Sequence, residues 1–227
     1  MAIDPGIFRA YDIRGKVGPS ITTEVAEALG KAFATYIARD GAAPEVIVGR
    51  DNRASGQELK EALMRGLVSA GCTVYDIGMS TSPALYFAVG RWGLPGGINV
   101  TGSHNPPDEN GFKLVGEGNR PIAGDEILEV KKIIDGGSFR TGEGRIVLRE
   151  AKPEYFAHLK RVTKLERPFR VAVDTGNGVA GVYAPLSRTF SCRQTTFSGI
   201  CGSGRELAAS FPARGGTSPG RRLPGNR

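Results

Sequence analysis

Strand patterns alternate with amphipathic helix patterns along the first two thirds of the chain. Short apolar runs predict four strands, at residues 46–48, 73–77, 97–101 and 112–115. Apolar side chains recur at helical spacing over residues 22–40 and 125–135. Such alternation is typical of a sheet covered by helices. The predicted fold class is therefore α/β, with a mixed sheet covered by helices in a first domain of residues 1–150.

Two further helices have recognisable start signals. Ser55 and Glu58 have the spacing of a capping box, in which each side chain accepts a hydrogen bond from a backbone N–H of the first turn. This box predicts the start of a helix that runs to Gly71. Ser82 and Pro83 predict the start of the next helix, because proline fits the first helical position.

A second unit is predicted to begin near residue 151. The segment PEYFAHLKRV has helical spacing, and residues 171–174 form a strand pattern that leads into the glycine-rich turn TGNGVAG. A glycine-rich turn between a strand and a helix often opens an α/β unit, although the pattern alone is common. Residues 151–186 are therefore expected to be the start of an incomplete, truncated second α/β domain.

Residues 187–227 differ sharply in composition from the rest of the chain. They contain seven arginines, no lysine and one acidic residue, Glu206, whereas the whole chain has 30 basic and 23 acidic residues. Helical and strand periodicity is lost, and Ser, Thr, Gly, Pro and Arg dominate. A segment of this kind buries too little apolar surface to fold. We expect a disordered tail.

The net charge of +7 raises the question of nucleic-acid binding. Most of that charge lies in residues 187–227, where the arginines have no aromatic or motif context. Nucleic-acid binding through this tail remains a minor hypothesis, and it requires an affinity that falls steeply with salt. The prediction from the chain as a whole is that nucleic acid is not a partner.

The sequence also indicates the cellular compartment of the protein. No apolar run approaches the ~18 residues of a membrane span, and the N-terminal residues place charges where a signal peptide would be apolar. The three cysteines are odd in number and lack metal-ligand spacing. We therefore expect a cytoplasmic protein with reduced cysteines and no membrane partner.

The motif TGSHNPPDENGFK, residues 101–113, has two interpretations. Asn, Pro, Asp and Gly dominate ordinary surface turns, so the segment fits a structural loop. It also places Ser103 just past a strand end, beside His104 and ten positions before Lys113. Strand ends are where α/β sheets bind ligands, and a serine with cations nearby suits covalent phosphoryl transfer. A serine hydrolase does not fit, because neighbouring residues of a turn seldom present an aligned Ser–His pair and Ser103 does not stand in a GxSxG elbow.

Four segments together resemble the α-D-phosphohexomutases. TGSHNPPDENGFK is similar to the phosphoserine loop of that family, and FRAYDIRG, VGRDNRASG and VAVDTGNGVAG resemble three further family segments in the same order and spacing. The resemblance covers roughly residues 5–186. It implies a phosphomannomutase or phosphoglucomutase, an isomerase that interconverts hexose 1-phosphate and 6-phosphate through a hexose 1,6-bisphosphate.

The resemblance also assigns roles. Ser103 would be the phosphorylated residue and a ligand of the family's Mg²⁺ ion, with His104, Lys113 and Arg14 as catalytic residues. Lys113 would suit general acid/base work if neighbouring cations lower its pKa. Tyr11, Arg14 and Lys113 would bind the hexose phosphate. Two alternatives stay open: Arg14 could form an ion pair with an aspartate, and His104 could order the loop. Asp51 and Arg53 are expected to fix a loop.

The sequence departs from the family in its second half. The family's metal loop, DxDxDR, is absent, and Asp174 is the last aspartate of the chain. The GExSG-type sugar loop and the RxSxTEP-type phosphate loop are absent as well. The expectation is a mutase by descent that is inactive as this truncated chain. The alternative is a non-catalytic remnant that binds a phosphosugar or a protein partner.

The resemblance and the globular composition end together near Pro185 and Leu186. This coincidence motivates the hypothesis that residues 187–227 are a misread continuation, produced by a change of reading frame in an ordinary mutase gene. The encoding locus tests it, since another frame should then continue and encode a DxDxDR loop.

Overall fold

A computed structural model describes residues 3–38, 44–167 and 173–184 with their side chains. It describes only the backbone of residues 169–172 and of three short strands that follow. The elements are β1 (Ile13–Lys16), α1 (Thr23–Ile37), β2 (Glu45–Arg50), α2 (Gly56–Ser69), β3 (Thr73–Met79), α3 (Ser82–Arg91), β4 (Gly96–Val100), β5 (Glu109–Gly116), α4 (Asp125–Gly136), β6 (Arg145–Leu148), α5 (Lys152–Val162), β7 (Phe169–Asp174), β8 (Cys192–Ser198), β9 (Ile200–Cys201) and β10 (Arg205–Glu206).

Strands β1 to β6 form one sheet in the order β1-β5-β4-β2-β3-β6. Strand β2 pairs in parallel with β3 and β4, and β3 pairs in parallel with β6. Strand β5 runs antiparallel to both β4 and β1. The mixed sheet predicted from the sequence is therefore confirmed.

Helices cover both faces of this sheet. One core cluster includes Leu29 and Phe33 of α1, Leu63 of α2 and Ile127 of α4, all buried. A second cluster on the other face includes Leu85 and other residues of α3. Full burial of one such side chain stabilises the fold by about 1.5–3 kcal/mol. The alternating apolar pattern thus produces a three-layer α/β/α domain.

Helices α1 and α2 approach each other closely at two glycines. A Cβ atom on Gly30 would lie 2.3 Å from the carbonyl oxygen of Leu63, and one on Gly66 would lie 2.1 Å from that of Glu27. Real Cβ atoms do not tolerate such distances, so both positions require glycine. The contact fixes how α2 lies beside α1, and α2 directly follows the loop that supports the site described below.

Parallel pairing brings two loops to the same edge of the sheet. Arg50 at the end of β2 is in register with Val100 at the end of β4. The segment RDNRASG continues from β2, and TGSHN continues from β4. Because the carboxyl ends of neighbouring parallel strands meet, these loops lie side by side. Strand β1, paired with β5, adds residues 11–14 to the same region.

The second unit lies against the first through an aromatic contact. Helix α5 packs on α3 through the rings of Tyr155 and Phe87, 5.4 Å apart. Tyr183 is buried, and its hydroxyl donates a hydrogen bond to the Ser80 hydroxyl at 3.1 Å. Strand β7 pairs in parallel with β8. These elements agree with a second α/β unit that is only partly present.

The backbone strands β8, β9 and β10 lie in the segment for which the sequence predicted no regular structure. Strand β8 contains the run Thr195, Thr196 and Phe197, whose β-branched and aromatic side chains favour strands. This short run was not predicted as a strand. The remaining positions of the predicted disordered tail, and most of its arginines, lie outside the described residues.

One predicted helix start is wrong in its detail. Helix α2 begins at Gly56, as expected, but Ser55 makes no capping hydrogen bond. Its hydroxyl instead accepts a hydrogen bond from the Asn110 side chain at 2.9 Å. A tertiary partner has therefore replaced the local one. At α3 the cap is Thr81, whose side chain accepts from the backbone N–H of Ala84.

Among the described residues, no helix combines the length and the apolar character that crossing a bilayer requires.

Candidate active site

Ser103 lies in the loop that follows β4, and its side chain is exposed. Its φ angle is 56°, in the left-handed region that residues other than glycine seldom occupy. Such a conformation costs about 1–2 kcal/mol and persists only where the surroundings enforce it. The Ser103 hydroxyl lies 3.3 Å from Nδ1 of His104. Residues held in such strained backbone conformations cluster at active sites and ligand-binding loops.

The carboxylate of Asp51 helps to enforce this conformation. One of its oxygens accepts a hydrogen bond from the Thr101 hydroxyl at 2.6 Å. The Thr101 oxygen in turn accepts the backbone N–H of Ser103 at 2.9 Å. The other Asp51 oxygen accepts the backbone N–H of Arg53 at 3.0 Å. The loop after β2 therefore holds the loop after β4.

Arg53 makes the second connection between these loops. Its side chain donates to the backbone carbonyls of Ser103, Asn105, Pro106 and Glu109, at 3.1, 2.6, 2.6 and 2.8 Å. Carbonyl oxygens of a tight loop need donors when they turn inward, and one guanidinium supplies several. The structure agrees with the expectation that Asp51 and Arg53 fix a loop.

The buried carboxylate of Asp12 joins two of the predicted site residues. Arg14 donates to one Asp12 oxygen at 2.8 Å, and Lys113 donates to the other at 3.1 Å. Burial by itself would raise the pKa of Asp12, but the hydrogen bonds from Arg14 and Lys113 outweigh it and lower that pKa below its ordinary value. The same carboxylate adds to the effect of burial in raising the pKa of Tyr86.

Arg14 also reaches the serine loop. Its Nη1 donates to the side-chain oxygen of Asn105 at 2.7 Å, and the amide nitrogen of Asn105 donates to Glu109 at 2.6 Å. Both interpretations of Arg14 thus have a structural counterpart, since it forms an ion pair with Asp12 and contacts the candidate site. Tyr11 is 78% exposed.

Two clefts lie on either side of Asn105. The first, of about 360 Å³, is lined by residues 9–12 with Tyr11 among them, by Arg14 and by Asn105 and Glu109. The second, of about 710 Å³, is lined by residues 51–54, by Ser103 and His104, and by residues 176–180 of the second unit. Ser103 and His104 therefore face one cleft, and Tyr11 and Arg14 face the other.

Lys113 lines neither of these two clefts. Its ammonium group is held by the Asp12 carboxylate, and the second cation on that carboxylate is Arg14. The sequence predicted Lys113 beside the transferring group with cations as neighbours. In the structure, Lys113 and Arg14 lie on the two oxygens of one carboxylate, and the role that the resemblance implies for Lys113 stays a prediction.

The turn TGNGVAG forms the far wall of the larger cleft. Gly176 and Asn177 both have positive φ angles, 52° and 59°, which bend the chain sharply after β7. The Asn52 side chain donates to the backbone carbonyl of Asn177 at 2.6 Å. This hydrogen bond ties the second unit to the loop that supports Ser103.

The residues present do not fit a Mg²⁺ ion by themselves. Mg²⁺ prefers octahedral coordination by oxygen atoms. No group of three or more His, Cys, Asp or Glu side chains placed to hold a metal occurs in the part of the chain that the structure describes. Both Asp51 oxygens are already occupied, by Thr101 and by the backbone of Arg53. A phosphoryl group on Ser103 would add oxygen ligands, but these alone do not fill an octahedral shell.

Three residues of the site, Thr101, Asn105 and Asn52, were not predicted from the sequence. Two of them stand inside the quoted motif, and Asn52 lies between Asp51 and Arg53. Their positions next to recognised residues were the available signal. Thr101 bonds to Asp51 and Asn52 bonds to Asn177, and in each pair the two residues are 50 or more positions apart in the chain. Sequence spacing cannot reveal contacts over such separations.

Fold and site together define an α/β/α domain that presents a serine at the carboxyl edge of its sheet. Residues 5–141 match the family model described as phosphoglucomutase/phosphomannomutase, alpha/beta/alpha domain I. This match covers more than half of the 227 residues, and the chain belongs to that family. The family resemblance seen in the sequence is confirmed.

Relatives with curated names agree. The chain is 44% identical over 179 residues to a phosphomannomutase/phosphoglucomutase of Pseudomonas aeruginosa, a match that covers 79% of this chain and 38% of that protein. It is 41% identical over 185 residues to a phosphoglucomutase of Neisseria gonorrhoeae, covering 81% of this chain and 40% of that protein. The chain thus spans about two fifths of the length of these relatives.

Solved structures show the same fold. A phosphoglucomutase/phosphomannomutase family protein from Burkholderia thailandensis superimposes with a TM-score of 0.80 at 38% identity, covering 87% of this chain and 44% of that one. A putative phosphomannomutase from Thermus thermophilus gives a TM-score of 0.73 at 24% identity, over 85% of this chain and 45% of that one, which supports the fold alone.

Proposed function

We propose that this chain carries the phosphoserine part of a phosphohexomutase site, in which Ser103 passes a phosphoryl group to and from a hexose phosphate. The observation that carries the proposal is the Ser103 oxygen, held by a strained backbone at the edge of a cleft with His104 beside it. The names of the relatives support hexose phosphates as the substrate class.

The free hydroxyl of a bound hexose phosphate attacks the phosphorus of phosphorylated Ser103, and the bond from phosphorus to the Ser103 oxygen breaks. The proton of that hydroxyl ends on the Ser103 oxygen. The product is a hexose 1,6-bisphosphate, which turns over in the site. The same step in reverse then returns its other phosphoryl group to Ser103 and releases the isomeric hexose phosphate.

The described side chains have different roles in the proposed reaction. His104 is placed to exchange the proton, because its ring nitrogen lies 3.3 Å from the Ser103 oxygen. Arg14 and Lys113 bring two positive charges to one carboxylate, which leaves a net positive charge for an anionic substrate. Tyr11 and Arg14 line the smaller cleft and are the substrate-binding residues of the proposal.

Phosphoryl uptake tests this function. The chain is incubated with hexose 1,6-bisphosphate and Mg²⁺, and phosphopeptides are located by tandem mass spectrometry. We expect one phosphoryl group per chain, on Ser103, and none in Ser103→Ala. Ser69→Ala is the matched control, because the Ser69 hydroxyl only donates to the backbone of its own helix. Phosphorylation spread over several serines, or equal uptake by Ser103→Ala, would contradict the proposal.

The chain is further proposed to be inactive in repeated turnover as it stands. The described residues hold no metal cluster, and no aspartate follows Asp174. Metal ions and substrate anchors together supply much of the rate in phosphoryl transfer, with positioning alone worth ~7–11 kcal/mol of barrier.

A phosphosugar-binding remnant is the second candidate, favoured by the same lack of a metal cluster in the part of the chain that the structure describes. Calorimetric titration with hexose 1,6-bisphosphate separates the two. Binding that is retained in Ser103→Ala, together with no phosphoryl uptake by the unaltered chain, supports the remnant. Uptake on Ser103 supports the phosphoserine site.

A further inference from the structure

The Arg53 side chain makes four hydrogen bonds and one ion pair. Its two Nη atoms donate to four backbone carbonyls of the serine loop, those of Ser103, Asn105, Pro106 and Glu109. Its Nε lies 3.3 Å from a carboxylate oxygen of Asp51. A guanidinium has five N–H donors in a planar fork, and the four on its Nη atoms all have a carbonyl acceptor here. Only 13% of this side chain is exposed, although it lies at the edge of the sheet.

The shape of the serine loop depends on this group. A Cβ atom on Gly102 would lie 2.7 Å from the Cζ of Arg53, so the guanidinium rests directly against the Gly102 backbone. A lysine at position 53 would bring one ammonium and could not meet four separate carbonyls in this geometry. Arginine is therefore required by geometry and not merely by charge.

Both backbone groups of Ser103 are held from the loop after β2. Its carbonyl accepts from Arg53, and its N–H donates to Thr101, whose hydroxyl donates to Asp51. These bonds restrain the backbone on both sides of the Ser103 Cα and so hold Ser103 in the left-handed conformation. The side-chain oxygen is left with one partner among the described residues, His104. Such enforcement is what a strained functional conformation needs.

The same short loop also holds the opposite wall of the larger cleft. Asn52 donates to the backbone carbonyl of Asn177 in the second unit. Residues 51–53 thus set the position of Ser103 on one side and of the glycine-rich turn on the other. The width of the cleft in front of the Ser103 oxygen follows from these contacts.

We propose that Arg53 is a positioning residue for phosphoryl transfer, acting through the serine loop without touching the transferred group. This inference rests on the proposed role of Ser103 as the phosphoryl carrier. Arg53 keeps Ser103 in its left-handed conformation, so that the attacking or leaving oxygen points into the cleft in one orientation. A misplacement of about 1 Å can slow a reaction by about 100-fold.

The test compares Arg53→Lys with Arg50→Lys in the full chain. Arg50 is a matched control, because it ends β2 directly before the loop that contains Arg53. Its side chain bonds to Gln57 and the Asp51 carbonyl and makes no hydrogen bond to the serine loop in the described residues. Two quantities are measured: amide hydrogen exchange along the chain, and the rate of Ser103 phosphorylation as a function of hexose 1,6-bisphosphate concentration.

In Arg53→Lys, exchange over residues 103–109 is expected to be about tenfold faster, with the central strands unchanged, because charge-assisted hydrogen bonds are lost only there. The maximal phosphorylation rate should fall by about 100-fold, with the half-saturating bisphosphate concentration unchanged. Arg50→Lys should match the original chain in both measurements.

Three results would overturn the inference: wild-type behaviour of Arg53→Lys in both measurements, faster exchange across the whole sheet, or a change confined to the half-saturating concentration. If the unaltered chain takes up no phosphoryl group, the proposed function fails. Exchange over residues 103–109 then still decides whether Arg53 holds the serine loop.

Discussion

Lys113 donates a hydrogen bond to the buried carboxylate of Asp12 at 3.1 Å, although 101 positions separate the two residues in the chain. Arg14 occupies the other oxygen of the same carboxylate. The aspartate lies just before β1, and the lysine lies in β5, the strand that pairs with β1. Asp12 therefore organises the two cations that the substrate site is proposed to use.

Asp12→Asn is expected to destabilise the domain by about 1–3 kcal/mol, because two cations lose the charge that balances them. Only 4% of the Asp12 side chain is exposed, so solvent compensates little. Chemical unfolding of the two proteins at neutral pH measures the difference. Asp108→Asn is the control, since that carboxylate is mostly exposed and 3.9 Å from Lys16. An equal effect of both substitutions would contradict the account.

The pH dependence follows from the lowered pKa of Asp12. A carboxylate whose pKa is lower in the folded chain stabilises the fold above its unfolded pKa, which is about 3.9. That contribution disappears as the pH falls through the ordinary pKa and then the folded pKa. The difference in unfolding free energy between the original chain and Asp12→Asn should therefore be constant near neutral pH and shrink below about pH 4. A difference that grows on acidification would contradict this.

Gly102→Ala should disturb the serine loop. The new methyl group would lie 2.7 Å from the Arg53 guanidinium and 2.9 Å from the Glu109 carbonyl. Crowding of this kind costs about 1–3 kcal/mol. Gly136→Ala is the matched control, because a Cβ there meets nothing within 4 Å. Thermal unfolding compares the two variants, and an unchanged melting temperature for Gly102→Ala would count against the observed packing.

The sequence predicted the central elements of the fold because their signals are local. The apolar runs of β2, β3 and β4 and the helical spacing of α1 are complete within each segment. The edge strands β1 and β6 have four residues each and were not predicted. These two strands form because they pair with strands that are distant in the sequence, and no short sequence pattern indicates such pairing.

Prediction of the site shows the same division. Ser103 and His104 were found because they are neighbours in a recognisable motif, and they do lie together. For Arg53, the sequence predicted only that it fixes a loop. Its acceptors could not be predicted, because they lie 50 or more positions further along the chain. Ser55 was misassigned because Asn110, a residue of β5, took the place of the local capping partner.

Tyr183→Phe should loosen the second unit. The hydroxyl of Tyr183 donates a buried hydrogen bond to the Ser80 hydroxyl. Its removal leaves Ser80 without that donor and lowers the free energy of unfolding by about 1 kcal/mol. Amide exchange over residues 176–180 should become faster, since this turn immediately precedes Tyr183. Tyr155→Phe provides the control, because the Tyr155 hydroxyl has no hydrogen bond in the described part of the chain. Equal exchange in both variants would contradict the prediction.

Purified chain should show no measurable conversion of glucose or mannose 1-phosphate to the 6-phosphate within minutes, with Mg²⁺ and bisphosphate present. The reason is the lack of a metal cluster in the described residues. A coupled enzyme assay measures this. Conversion within a few tenfold of a complete mutase, abolished by Ser103→Ala, would contradict the prediction.

The central claim is that Ser103 hands its phosphoryl group to a hexose phosphate. Chain phosphorylated at Ser103, made with genetically installed phosphoserine, is mixed with excess glucose 6-phosphate or mannose 6-phosphate. The account predicts that, over hours, Ser103 loses its phosphoryl group while an equal amount of hexose 1,6-bisphosphate appears. Retention of the phosphoryl group, or its release as inorganic phosphate with no bisphosphate formed, would contradict the account.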